Sequence, residues 1–170
     1  RAGDQIRKNA TLLSNAEAVK IEKEAKGDVA PITSDRTGFY NRKLYLKPGE
    51  RVENRGNNQP LNHKLIRLGE VYLNYAEACA KTNAEGEARI YLKKIRERAG
   101  LPEITSTGEQ LFEDIINERR LELGLEGFRF FDIVRVGWAS KTFKNFKPGA
   151  ELLPIPQTEV DISKGEITNK

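Results

Sequence analysis

Between Leu65 and Leu125 the apolar side chains return every three or four residues, the spacing that gathers them on one face of an α-helix. Leu65, Leu68, Val71, Tyr72, Tyr75, Ala76 and Cys79 predict a helix over 64–81, and the small residues Ala76, Ala78, Cys79 and Ala80 let a second helix come close. Thr82 or Asn83 is placed to cap that second helix, 84–99, whose stripe is Ala88, Leu92, Ile95 and Ala99. Gly100 and Pro102 stop it. The pair reads as an antiparallel hairpin, and Leu68, Gly69, Tyr72 and Ala88 echo part of a tetratricopeptide repeat, while Lys81 and Glu85 break that pattern. Thr107-x-x-Gln110 has the form of a capping box. It opens a third helix with Leu111, Ile115 and Ile116 inside, ending near Leu125 and Gly127. A further short helix is expected from Phe130 to Val136.

The flanks are less regular. Ile6, Leu13, Val19 and Ile21 make a thin stripe that predicts one helix over 4–26, with Glu17, Lys20 and Glu24 in solvent and Gly27 as its end. Residues 27–62 are punctuated by Pro31, Gly38, Pro48, Gly49, Gly56 and Pro60. Within them Phe39–Leu46, F-Y-N-R-K-L-Y-L, has the composition of a short strand. So long an irregular segment in a compact domain usually has a function or moves. Residues 145–170 read as irregular, with Leu153-Pro154-Ile155-Pro156 extended because each Pro fixes its own φ and disfavours helix before it. The expected organisation is one 1–170 region: 1–63 with the first helix and the loops, 64–136 with the hairpins, 137–170 irregular.

One stretch breaks the simple amphipathic pattern. From Ile115 to Arg135, Phe128, Phe130 and Phe131 are interleaved with Glu118, Arg119, Arg120, Glu122, Glu126, Arg129, Asp132 and Arg135. Buried charge is costly unless it is paired and hydrogen-bonded. The pattern therefore predicts an arginine–carboxylate network set into the core, made of Arg96, Arg98, Glu118, Glu122, Glu126, Arg129, Asp132 and Arg135. Glu118, Glu122 and Glu126 are four apart and repel one another along one face unless cations come from elsewhere. Arg96 and Arg98 are the expected donors, with Arg129–Asp132 and Asp132–Arg135 as local pairs. Replacing Arg129 or Glu122 by Ala should then destabilise strongly. The competing reading is a solvated helix laced with weak surface pairs.

Composition excludes several classes. The charge is +4, from 29 basic and 25 acidic residues, and these are interleaved without the basic stripe that phosphate backbones favour, so no nucleic-acid partner is expected. One Cys and one His exclude a disulfide framework and a Cys/His zinc cluster, and no metal or cofactor is expected. Cys79, among small residues, reads as packing, and His63 has no flanking nucleophile motif. No apolar run reaches membrane-spanning length. The chain opens at Arg1 and has no Met, which points to a processed chain or an excised piece.

Several segments, in order, resemble the SusD/RagB family. They are Arg67–Ala78 (R-L-G-E-V-Y-L-N-Y-A-E-A), Ile95–Leu101 (I-R-E-R-A-G-L), Glu118–Arg135 (E-R-R-L-E-L-G-L-E-G-F-R-F-F-D-I-V-R) and Leu152–Val160 (L-L-P-I-P-Q-T-E-V), with a weaker likeness at Thr37–Tyr45. Val136 departs from the family's usual Trp, with Trp138 displaced by two, and the C-terminus matches only loosely. The resemblance implies the C-terminal part of a mostly all-α fold, with tetratricopeptide-like hairpins beneath long irregular loops. It further implies a cell-surface, outer-membrane lipoprotein of Bacteroidetes, anchored by an N-terminal lipid outside this chain. Such a protein captures oligo- or polysaccharide, or peptide in RagB-like members, and performs no covalent chemistry. The implied partner is a TonB-dependent SusC-type transporter. The matching motifs are structural, so no binding residue follows from them. From chemistry alone, sugars stack on aromatic rings, and Phe39, Tyr40, Tyr45 and Trp138 are the candidates; the simpler reading of the same rings is that they fill the gap between loop and helices. A helical-hairpin adaptor and a two-carboxylate glycosidase are the rival readings.

Overall fold

The computed structural model describes residues 3–26, 37–52, 59–147, 149–152 and 154–168. The chain forms two compact units, Arg1–Phe128 and Arg129–Lys170. Helix, 3-10 turns included, accounts for 57% of the described residues, which makes the fold all-α as the periodicity predicts.

The first unit opens with α1 (Gln5–Thr11), capped by the Asp4 side chain, which accepts from the Arg7 N–H. The predicted helix over 4–26 is interrupted by β1 (Leu12–Ser14) before α2 (Asn15–Lys26). β1 pairs antiparallel with β2 (Phe39–Asn41), with Leu12 opposite Asn41, Leu13 opposite Tyr40 and Ser14 opposite Phe39. The long-range pairing overrides local helix propensity, and it buries Leu13 while Ile6 stays 55% exposed. Gly27, the expected terminator, lies outside the described residues. The strand expected over Phe39–Leu46 stops at Asn41, whose side chain caps a 3-10 turn, Arg42–Leu44. A second 3-10 turn follows at Pro48–Glu50.

α3 (Leu68–Lys81), α4 (Glu85–Arg98) and α5 (Gly108–Glu122) form the core. Leu73, Ala76 and Cys79 of α3 pack with Ala88, Leu92 and Ile95 of α4 and Leu111 and Ile115 of α5. Each fully buried Leu or Ile contributes roughly 1.5–3 kcal/mol by leaving water. The α4 stripe is the predicted one. On α3 the buried face is turned from the predicted one, so Leu68, Val71 and Tyr75 are exposed at 63%, 44% and 45%. Neither predicted cap forms. Ala84 is the N-cap of α4, and Thr82 instead donates to the Ala78 carbonyl. Thr107 makes no side-chain cap to α5. The Gly108 N–H donates to Glu85 Oε1 of α4 at 2.7 Å, so the hairpin itself supplies the cap. Arg119 of α5 is buried and donates to Asn74 of α3 at 2.5 Å.

The second unit holds α6 (Arg129–Arg135), α7 (Ala139–Thr142) and α8 (Gln157–Ile162). α8 lies in a stretch expected to be irregular. Its N-cap, Pro156, has the extended backbone expected (φ −52°, ψ 136°). Ile133 and Ala139 are buried, and Phe130 meets Phe143 with ring centroids 5.9 Å apart.

Candidate functional site

Two carboxylates one turn apart on α5 organise the first unit. Glu118 is 1% exposed. It takes Arg96 Nη1 of α4 on Oε2 at 2.7 Å and Arg7 Nη1 of α1 beside Oε1 at 2.6 Å. Arg96 spends a second N–H on the Pro102 carbonyl at 2.7 Å, and Arg7 pairs with Asp4 at 2.6 Å. Glu122 is 3% exposed. Its Oε1 accepts from Arg67 at 2.7 Å and Arg98 at 2.5 Å, with Arg7 3.7 Å from Oε2. The like charges on α5 are thus relieved by guanidinium groups, whose planar forks suit carboxylates.

Glu126 does not stack on the same helix face, because α5 ends at Glu122. After a turn with Leu125 at φ 64°, its carboxylate returns to Arg67 at 2.7 Å and Lys43 at 2.5 Å. Burial opposes ionisation of Glu126, but hydrogen bonds from Arg67 and Lys43 outweigh it and hold the carboxyl below its usual range. Burial likewise opposes the charge on Arg67, and hydrogen bonds to Glu126 and Glu122 overcome it, raising its pKa. In the second unit Asp132 is buried and receives Arg135 at 2.8 Å, while Arg129 is half-buried. Of the three phenylalanines that motivated the network, Phe128 alone is half-buried. Phe131 is 69% exposed and Phe130 is 38% exposed.

Sequence reasoning missed Arg7, Arg67 and Lys43, because each arrives from a distant segment. The Asp4-x-x-Arg7 spacing is the one local sign of an anchored arginine. Lys43 donates to the Glu122 and Gly124 carbonyls at 2.9 and 3.0 Å, so an ammonium closes the carboxyl end of α5, where backbone acceptors lack partners and the dipole is negative.

That contact also pins the aromatic loop. Asn41 donates to the Leu125 carbonyl at 2.9 Å, and Arg42 to the Leu12 carbonyl at 3.1 Å while pairing with Glu17. Phe39 is 40% exposed and Tyr40 is half-buried. The Tyr45 hydroxyl donates to Glu22 at 2.9 Å and its ring lies 5.1 Å from the Arg51 guanidinium, so Tyr45 is held by the scaffold at both ends. Its own phenol is pushed up by burial and by Glu22. Trp138, in the second unit, lies beneath the Lys141 ammonium at 4.1 Å.

Below the loop opens a cavity of about 570 Å³, bounded by Lys43, Leu44, Arg67, Glu122, Glu126 and Phe128 among others. That volume is within the roughly 300–1,000 Å³ of small-molecule sites. Among the described residues no group of three metal-ligating side chains exists, and no helix is long and apolar enough to cross a membrane. Cys79 is buried in the hairpin core.

The profile of the SusD family matches residues 7–152. A SusD-like protein of Bacteroides ovatus is 40% identical over 80 residues, which are 45% of this chain and 14% of the relative. Surface glycan-binding protein A from Bacteroides thetaiotaomicron, solved in complex with laminarihexaose, superposes with a TM-score of 0.81 at 29% identity, over 99% of this chain and 38% of its own. A laminarin-binding SusD-like protein aligns at 32% identity and TM-score 0.65, over 91% of this chain and 32% of its own. The chain thus spans well under half the length of the proteins it matches.

Proposed function

The chain belongs to the SusD family, and from that premise we propose that it serves non-catalytic glycan capture at the bacterial cell surface. One observation carries the reading: nearly the whole chain superposes on a surface glycan-binding protein solved with laminarihexaose. Phe39 and Tyr40, on a loop tethered by Lys43 to the end of α5 and by Asn41 to the turn after it, supply ring surface for sugar C–H faces on a rigid support. Trp138 offers a second ring in its own unit. Peptide is the alternative ligand. Delivery to a TonB-dependent SusC-type transporter, and attachment to the outer membrane through an N-terminal lipid, belong to the same proposal.

Acid–base chemistry fits the site poorly. A general acid needs a carboxyl pKa tuned upward, whereas Glu126 is held below its usual range by Arg67 and Lys43. Glu118 and Glu122 are each bound by two guanidinium groups or more.

The test is calorimetric titration of the chain with laminarihexaose and a panel of plant, host and microbial glycans, repeated with Phe39→Ala. Saturable binding lost in the variant, with unchanged circular dichroism, is the expected result. A folded chain that binds no glycan overturns the reading. A second reading, a helical-hairpin interaction module, is favoured by the exposed Leu68, Val71 and Tyr75. Self- or partner-association abolished by Val71→Asp, with no glycan bound, would support it instead.

A further inference from the structure

The cavity under the aromatic loop is lined by the apolar Leu44, Leu65 and Phe128 and carries an uneven set of charges. Its carboxylates, Glu122 and Glu126, are already committed to Arg67, Arg98 and Lys43. Its rim is not committed to the same degree. Arg98 is 59% exposed and spends Nη2 on Glu122, leaving Nε and Nη1 without protein partners among the described residues. Lys64 and His63 are both exposed, border the cavity, and make no ion pair or hydrogen bond among the described residues. Arg98 and Lys64 thus bring two cationic side chains to one opening, with N–H donors that make no contact among the described residues. Anionic acceptors fit there: an acceptor that carries its own negative charge adds Coulomb attraction to each bond from these cations, which a neutral hydroxyl lacks.

Resting on the glycan-binding reading above, we propose that this cavity receives an anionic sugar, a uronate or a sulfated residue, with Arg98 and Lys64 as its charge-recognising groups and the apolar Leu44, Leu65 and Phe128 against the ring. The aromatic loop and the cavity then form a continuous surface, since Lys43 and Leu44 belong to both. Charge recognition sets the substrate class, and ring stacking adds contact area.

The experiment titrates the full 170-residue chain with three probes at two salt concentrations: laminarihexaose, a galacturonic acid oligosaccharide and a sulfated chondroitin oligosaccharide. Inorganic sulfate is the control for simple anion binding. Lys64→Gln removes a rim charge without breaking a pair, and Lys144→Gln removes an equal charge from an exposed position in the other unit. The expected result is at least about tenfold tighter binding of an acidic oligosaccharide than of laminarihexaose, the scale of one charge-assisted contact. Affinity should weaken with salt and fall several-fold in Lys64→Gln only. The uronate and sulfate arms identify the anionic group. Binding of laminarihexaose alone overturns this inference and leaves the glycan reading intact. Binding of no glycan overturns both. Acidic-glycan binding that Lys64→Gln and Lys144→Gln weaken equally, or that inorganic sulfate abolishes, assigns it to net charge and overturns the cavity as the site.

Discussion

Glu122 sits 3% exposed among the guanidinium groups of Arg7, Arg67 and Arg98. Taking any one of these charges out of water is costly, and the arrangement persists only because the partners satisfy one another. Removing the carboxylate leaves Arg67 Nη1, on a side chain 24% exposed, without its acceptor, and takes a counter-charge from beside Arg7, whose side chain is 6% exposed. Glu122→Ala should cost about 3–5 kcal/mol, the scale of a broken buried pair, read as a fall in the urea midpoint. Lys20→Ala is the internal contrast. The Lys20–Glu24 pair is 75% and 66% exposed, and its loss should cost under about 0.5 kcal/mol. Similar small shifts in both variants would place Glu122 energetically in solvent and sink the buried-network account. At this scale the sequence was informative about identity. Crowded carboxylates and arginines required pairing, and Arg96 and Arg98 do pair with Glu118 and Glu122. It was uninformative about Arg7 and Arg67, which no local spacing ties to α5.

At the scale of elements, α3 shows how a local rule and a tertiary need conflict. Gly69 lies in its first turn, where Ala is favoured by roughly 1 kcal/mol. A Cβ there would lie 2.6 Å from Arg67 Nη1 and 2.9 Å from Glu122 Oε1. Both groups are flexible ends, but each is held by the other, so neither yields freely. Gly69→Ala should therefore destabilise despite its better propensity. In an Arg67→Ala background that penalty should shrink or reverse, a non-additivity that a double-mutant cycle measures. Simple additivity of the two substitutions would show that the glycine is not there to admit the Arg67–Glu122 contact. The same helix explains a misread face. Apolar residues lie on more than half of its circumference, so periodicity locates the helix without choosing which side turns inward. Packing against α4 and α5 chose Leu73, Ala76 and Cys79.

Across the first unit, the network joins α1, the 3-10 turn at Arg42–Leu44, α3, α4 and α5. Its pH dependence follows from the sign of each shift. Glu126 has a folded pKa below its unfolded value, so its contribution is present above the unfolded value and is lost as pH falls through the folded one. Arg67 and Arg7 are shifted upward, so their contributions are complete below the unfolded arginine range and vanish only as pH rises through the folded values. Stability should be flat between about pH 5 and 8 and should decline on further acidification. Urea midpoints measured across pH test this, and Glu126→Gln should show a shallower acid limb than the parent. An identical limb in both proteins would remove Glu126 from the acid response.

The sequence by itself determined the helices between Leu68 and Glu122, the hairpin, the arginine–carboxylate chemistry and the likeness to a family. Those follow from periodicities and residue types that act over a few positions. Only the tertiary structure decided that β1 would interrupt the first helix, that Glu85 would cap α5, and that Phe131 would face out. It alone brought Arg7, Lys43 and Arg67 to Glu118, Glu122 and Glu126 and opened the cavity beneath the aromatic loop. The reason is physical: burial, capping and charge pairing are satisfied by whatever group arrives in space, and residues remote in sequence compete for those places on equal terms with neighbours.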